Sequence, residues 1–163
     1  MLFTKATRED TNKIVAFYHS LVGTEGCVWT EDYPSELEVE FDLSREALYC
    51  LKDDENEIIG VISIDDDPAV KDLDCWSSDL NPAVELSRLG VRIDKQNQGI
   101  ARVLLTSLME ELKSQGMRGV RLLVCKENKK AIRSYSKFHF YVAGEIEMFG
   151  HPYWCYEKDL LDK

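Results

Sequence analysis

No stretch of this sequence approaches the ~18 consecutive apolar residues that a membrane span requires. The first residues, Met1-Leu-Phe-Thr-Lys5, lack the basic-then-apolar form of a signal peptide. Cysteine pairs at metal-ligand spacing are missing as well. The five cysteines (Cys27, Cys50, Cys75, Cys125, Cys155) are odd in number and scattered, with no C-x-x-C. Neither a zinc framework nor a disulfide framework is indicated, so no metal is expected and a reducing cytoplasm is the expected location. Positive charge is in deficit: 20 Lys and Arg stand against 30 Asp and Glu, a net −10 that argues against nucleic acid as a general partner. The nucleotide-binding patterns G-x-x-x-x-G-K-[ST] and G-x-G-x-x-G do not occur, which speaks against a nucleotide-binding protein. Repeats, linkers and low-complexity tracts are lacking too. The 163 residues therefore read as one domain, residues 1–163, long enough to bury about two-thirds of the unfolded surface.

What is present is unevenly distributed. Residues 88–137 hold twelve Lys/Arg and four Asp/Glu, a local +8; the remainder holds eight against twenty-six, or −18. Such a division suits a protein that holds a polyanion on one side and attracts a cation on the other, although charges also simply decorate exposed faces.

The positive block opens on the most informative stretch. Glu85-Leu-Ser-Arg-Leu-Gly-Val-Arg-Ile93 alternates as a strand does, within a central strand read as Ala83–Ile93. After Gln96-Asn97-Gln98-Gly99-Ile100-Ala101, the residues Val103, Leu104, Leu105, Leu108, Met109 and Leu112 fall on one helical stripe that Gly116 stops. Main-chain N–H groups at the start of such a helix have no internal partner, and the helix dipole adds positive potential. The place suits a phosphate or pyrophosphate; the same residues also make an ordinary strand-to-helix turn.

The rest of the chain reads in order. Leu2–Lys5 is a terminal strand. Thr7 caps a helix carrying Ile14, Val15, Phe17, Tyr18, Leu21 and Val22 as far as Gly23. Trp29 and Tyr33 lie in the loop that follows, and Ser35 caps a short acidic helix expected to turn Leu37, Phe41 and Leu43 inward. Leu48–Lys52 and Glu57–Ile64 read as a hairpin about Asp53–Asn56. Asp65–Pro82 has no apolar period and reads as a long acidic loop containing Trp76. Gly119–Val124 is a strand, Asn128–Phe138 a helix capped by Asn128, and Tyr141–Phe149 with His151–Lys158 a final strand pair. The order describes a mixed α/β fold with a central sheet.

A second cluster lies thirty-two residues past Gln96: Asn128, Ala131, Tyr135, Lys137 and Phe140. Together the two blocks resemble the GNAT superfamily of N-acetyltransferases. Val91, Ile93, Gln96, Gly99 and Ala101 stand in register with its V-x-P-x-x-[RQ]-x-x-G-x-[GA] motif, and the second cluster with N-x-x-A-x-x-x-Y-x-K-x-G-F. The matched region covers roughly residues 84–141. Ile93 replaces the motif Pro, Asn97 the usual Gly or Arg, and His139 a Gly that normally ends the helix with positive φ.

The resemblance implies a GNAT-like fold, a mostly antiparallel central sheet of about six or seven strands with helices on both faces. It implies acetyl-CoA as acyl-donor cosubstrate and an amine of a small molecule or peptide as acceptor. Amides of Asn97, Gln98, Gly99, Ile100, Ala101 and Arg102, with Gln96 at the loop's start, would hold the pyrophosphate. Leu89, Gly90 and Val91 would run beside the pantetheine arm, where a backbone N–H could polarise the thioester carbonyl. Asn128 matches the residue that contacts that arm, and is also a plain helix cap. Tyr135, seven residues on and on the same helical face, is the proposed general acid toward the departing thiolate. Its alternative is an aromatic wedge. Glu85 is the candidate base, or else an exposed strand-end carboxylate. Trp29 and Tyr33, with Trp76 and Asp65–Asp67, would wall a pocket for a cationic amine, unless the aromatics are core. No nucleic acid or membrane partner is expected, and the last strands offer pairing across a homodimer. A second class of function is a CoA-thioester sensor or scaffold of the same fold without transfer.

Overall fold

The computed structural model describes residues 1–162. Seven strands, β1 (Leu2–Lys5), β2 (Leu48–Lys52), β3 (Ile58–Asp65), β4 (Ala83–Val91), β5 (Gly119–Cys125), β6 (Tyr141–Met148) and β7 (His151–Asp159), form one sheet in the order β1-β2-β3-β4-β5-β7-β6. Five helices accompany them: α1 (Thr11–Leu21), α2 (Glu36–Ser44), α3 (Pro68–Lys71), α4 (Ile100–Ser114) and α5 (Lys129–Tyr135). β4 and β5 run parallel, whereas β1–β2, β2–β3, β5–β7 and β6–β7 are antiparallel. The mixed α/β, mostly antiparallel architecture expected from the sequence is the one observed.

The chain forms two compact units. The first comprises residues 1–64 and 88–108. Its core is built by Ile14, Phe17, Tyr18 and Leu21 of α1, Val39 of α2, and Leu48, Cys50, Ile58 and Val61 of the β2–β3 hairpin. The α1 stripe follows helical spacing, and the hairpin turns at Asn56 with a φ of 65°. Asp53 holds that turn by accepting the amides of Glu55 and Glu57 at 2.9 and 3.0 Å.

The face of α2 differs from expectation. Leu37 and Phe41 are 77% and 47% exposed, while Val39 and Asp42 are wholly buried. Leu43 packs against the core from its edge. The helix is rotated because Asp42 is drawn inward by two guanidiniums, described below, and because Phe41 is covered by the Arg45 guanidinium 4.2 Å from its ring centroid.

The second unit comprises residues 65–87 and 109–163. Here Asp65–Pro82 is not a bare loop. α3 is capped by the Asp67 side chain on the Ala69 amide, and a 3-10 turn at Ser78–Leu80 is capped by Ser77. Val70 and Leu80 are buried. Trp76 donates from its indole to the Val70 carbonyl at 2.8 Å, and the Arg121 guanidinium lies 5.3 Å from its ring. Trp76 is thus held on both sides. The nearby Glu157, 1% exposed, accepts from the Ser77 amide and, at 2.8 Å, from the Tyr141 hydroxyl.

Candidate active site

Most of the cofactor stretch named from the sequence lies in the first unit. After β4 the Arg92 amide donates to the Ile59 carbonyl at 2.9 Å, and Ile93–Lys95 make a 3-10 turn. Gln96 turns back, its side-chain amide donating to the Val91 carbonyl at 3.1 Å, and Gln98 does the same to the Asp94 carbonyl at 3.0 Å. Both glutamines therefore brace the loop. Asn97 and Gly99 have φ values of 62° and 82°. Left-handed residues in such a turn aim main-chain N–H groups outward, as in an anion-binding nest. A side chain at Gly99 would meet nothing within 4 Å, so backbone conformation is what calls for glycine there. Helix α4 opens next, Val103 donating to the Gly99 carbonyl, and Arg102 is exposed on its first turn.

In β4 the register with β5 runs from Ala83↔Gly119 to Glu85↔Arg121. Glu85 is half-buried and faces Arg121 across that ladder. Farther along, Arg88 has a φ of 50° in mid-strand. For a non-glycine residue this conformation is strained, and it persists only where neighbours over-determine it. Here they do: Arg88 reaches both oxygens of the buried Asp42 at 2.9 Å and donates to the Tyr33 hydroxyl at 3.2 Å. Arg45 adds a 2.6 Å bond to Asp42. Burial pushes the Asp42 carboxyl upward, against the pull of Arg88 and Arg45. A left-handed residue within a strand re-aims the groups that follow it, as at a bulge. Those groups are Leu89, Gly90 and Val91. Asp42 and Arg45 were not singled out in the sequence; a lone Asp among acidic neighbours on α2 gives no sign of burial.

Trp29 and Tyr33 come to the same strand. Trp29 stands edge-on to Tyr18, their centroids 5.3 Å apart. A Cβ at Gly90 would lie 2.9 Å from Leu21, 3.1 Å from Phe17 and 3.3 Å from Trp29. Gly90→Ala should therefore destabilise the protein by about 1–3 kcal/mol, because Leu21 and Phe17 are already fixed in the core. Urea denaturation checks this, and an unchanged midpoint would show that the wall at Gly90 yields. Tyr33 is partly exposed, its hydroxyl engaged by Arg88.

Glu85, Asn128 and Tyr135 belong to the second unit. Asn128 caps α5, its side-chain oxygen accepting from the Ala131 amide at 3.1 Å. Tyr135 ends that helix and is buried, edge-on to Phe140 and Tyr156 at 5.8 and 6.3 Å. Burial alone pushes its hydroxyl well above the ordinary phenol range. His139 takes the left-handed conformation of the motif glycine it replaces, with φ of 54°.

The fold is that of an α/β protein whose helix α4 opens from a braced turn with two left-handed residues. The family description "Acetyltransferase (GNAT) family" matches residues 9–140; the chain belongs to the GNAT acetyltransferase family. Comparison with curated proteins finds no match. Among solved structures, the ribosomal-protein-alanine N-acetyltransferase of Brucella melitensis is similar at 19% identity, covering 98% of this chain and 99% of that one, with a TM-score of 0.76. A Salmonella typhimurium protein assigned as an acetyltransferase, solved with its cofactor acetyl-CoA, is 18% identical over 100% and 95% of the chains, with a TM-score of 0.75. A GNAT-family acetyltransferase of Streptococcus pneumoniae is 18% identical over 97% and 98%, also at 0.75. At these identities the likeness is one of fold.

Proposed function

We propose that the protein is an N-acetyltransferase that passes the acetyl group of acetyl-CoA directly to a primary amine of a small molecule or peptide. The observation that carries this reading is the loop at Gln96–Gly99, inside the family match, with two left-handed residues ahead of a 15-residue helix. Its exposed amides and Arg102 suit a pyrophosphate. The Salmonella typhimurium relative solved with acetyl-CoA supports that donor, and the Brucella melitensis relative, an alanine N-acetyltransferase, supports an amine acceptor.

Each residue has a part in the reading. Main-chain N–H groups of Leu89–Val91, re-aimed past Arg88, would bind the pantetheine arm and stabilise the oxyanion as the amine attacks. The Asn128 side-chain nitrogen would donate to the arm while its oxygen caps α5. Tyr135 would give its proton to the departing thiolate. Glu85, directly or through water, would take a proton from the incoming ammonium. Trp29 and Tyr33 would line the acceptor's path, and the acidic surroundings would favour a cationic amine. The whole chain would work as one such domain, in the cytoplasm.

The test follows free thiol from acetyl-CoA across a panel of polyamines, amino acids and N-terminal peptides, beside calorimetry with CoA. Saturable CoA binding with amine-dependent thiol release is expected. Binding without release on every amine would instead favour a sensor or scaffold, and no binding would overturn both readings.

A further inference from the structure

We propose that Cys125, Glu127 and His151 form a binding site for one Zn²⁺ ion at the end of β5, with water in the fourth position. The thiol, a carboxylate oxygen and an imidazole nitrogen all lie within 4.8 Å of one another, and His151 Nδ1 stands 3.8 Å from Glu127 Oε1. Strand register puts them there. Cys125 pairs with Tyr153 in the β5–β7 ladder, and the Lys126 amide continues that ladder to the Pro152 carbonyl at 2.9 Å. Alternation along β7 puts His151 on the same face as Tyr153, the partner of Cys125. Beyond the strand, the turn closed by the Asn128 amide on the Cys125 carbonyl at 2.9 Å brings Glu127 to His151. His151 is fixed from its other side. The turn at Phe149 and Gly150, with φ of 55° and 79°, is of the two-residue type that locks a hairpin, and it pairs Met148 with His151.

Ligand chemistry selects the ion. A thiolate and an imidazole are poor donors to Mg²⁺ or Ca²⁺, and the set of one S, one N and one O suits four-coordinate Zn²⁺. Metal–ligand bonds of about 2.0–2.3 Å require ligand atoms about 3.5 Å apart. The exposed Glu127 and half-buried His151 can close that gap by side-chain rotation, while the buried Cys125 stays in its strand. On binding, the Cys125 thiol releases its proton to solvent and its sulfur becomes the metal ligand. The ion would tie the exit of β5 to the β6–β7 turn. The sequence reading expected no metal because no C-x-x-C occurs; these donors lie two and twenty-four positions apart along the chain, and the β5–β7 pairing brings them together.

The test is titration of the full-length, metal-stripped protein with Co²⁺ and Zn²⁺, followed by absorbance and calorimetry. Expected are one ion per chain, a near-ultraviolet sulfur-to-cobalt band, and the visible bands of a four-coordinate ion that Zn²⁺ abolishes. Cys125→Ser should remove the sulfur band. His151→Ala, a change at a half-exposed residue, should weaken binding by about a hundredfold or more, with circular dichroism showing that both variants fold. Absence of the sulfur band, or Zn²⁺ affinity unchanged in His151→Ala, would overturn the proposal. These readouts do not involve acetyl transfer, so they stand apart from the proposed enzyme activity.

Discussion

Replacing Asp42 by alanine should cost about 3–5 kcal/mol of folding stability. The carboxylate has no exposed surface and accepts two 2.9 Å bonds from Arg88 and one of 2.6 Å from Arg45. Truncation would take from the Arg88 guanidinium, whose side chain is 5% exposed, the carboxylate that it bonds at both oxygens. A buried guanidinium cannot neutralise itself, since its proton is held far beyond neutral pH. The variant also loses the anchor that holds Arg88 at a φ of 50°. Against a total stability of about 5–15 kcal/mol, the loss would be a large fraction of the whole. Urea denaturation measures it. The double variant Asp42→Ala with Arg88→Met should be more stable than the two single losses added together, by about 0.5–3 kcal/mol, because methionine keeps apolar volume and carries no charge. A single-variant loss below about 1 kcal/mol would show that the pair contributes little beyond the packing around it.

This pair also marks where sequence reading stops. Long stripes were legible: Ile14 to Leu21 of α1 and Leu104 to Leu112 of α4 repeat often enough for helical period to be unambiguous. The strand–loop–helix order from β4 to α4 was legible too, since an alternating run, a glycine and a helical stripe follow one another. On α2, nine residues carry four carboxylates, and two faces compete. Counting apolar side chains chose Leu37 and Phe41; the Asp42–Arg88 pair, made across 46 positions of sequence, chose the other face. Propensity gives no reason for an arginine to sit at positive φ, so the kink in β4 is a tertiary effect. In Asp65–Pro82 the four-residue α3 is too short for any period to show, and its cap at Asp67 reads equally as a turn. Pairing of β5 with β7, which assembles Cys125 with His151, has no signature in spacing along the chain.

Tyr135→Phe should lower kcat by about a hundredfold to ten-thousandfold if the hydroxyl supplies the leaving-group proton. CoA affinity should change little, because the phenylalanine ring keeps the edge-on contacts with Phe140 and Tyr156. Folding should be nearly unaffected for the same reason, which separates chemistry from packing. Burial raises the Tyr135 hydroxyl, so the group is protonated throughout the neutral range and arrives at each turnover ready to donate. The same burial makes it a weaker acid. The transfer remains feasible because a thiolate expelled into a dry, low-dielectric site becomes a stronger base as well, and both partners shift in the same direction. The alkaline side of the rate profile should consequently show no loss from ionisation of this phenol up to about pH 10, its unperturbed value. Single-turnover kinetics with CoA binding measured in parallel give both quantities. Equal loss of binding and turnover would assign the ring to holding the coenzyme, and an unchanged kcat would leave Tyr135 as an aromatic wedge with the proton drawn from water.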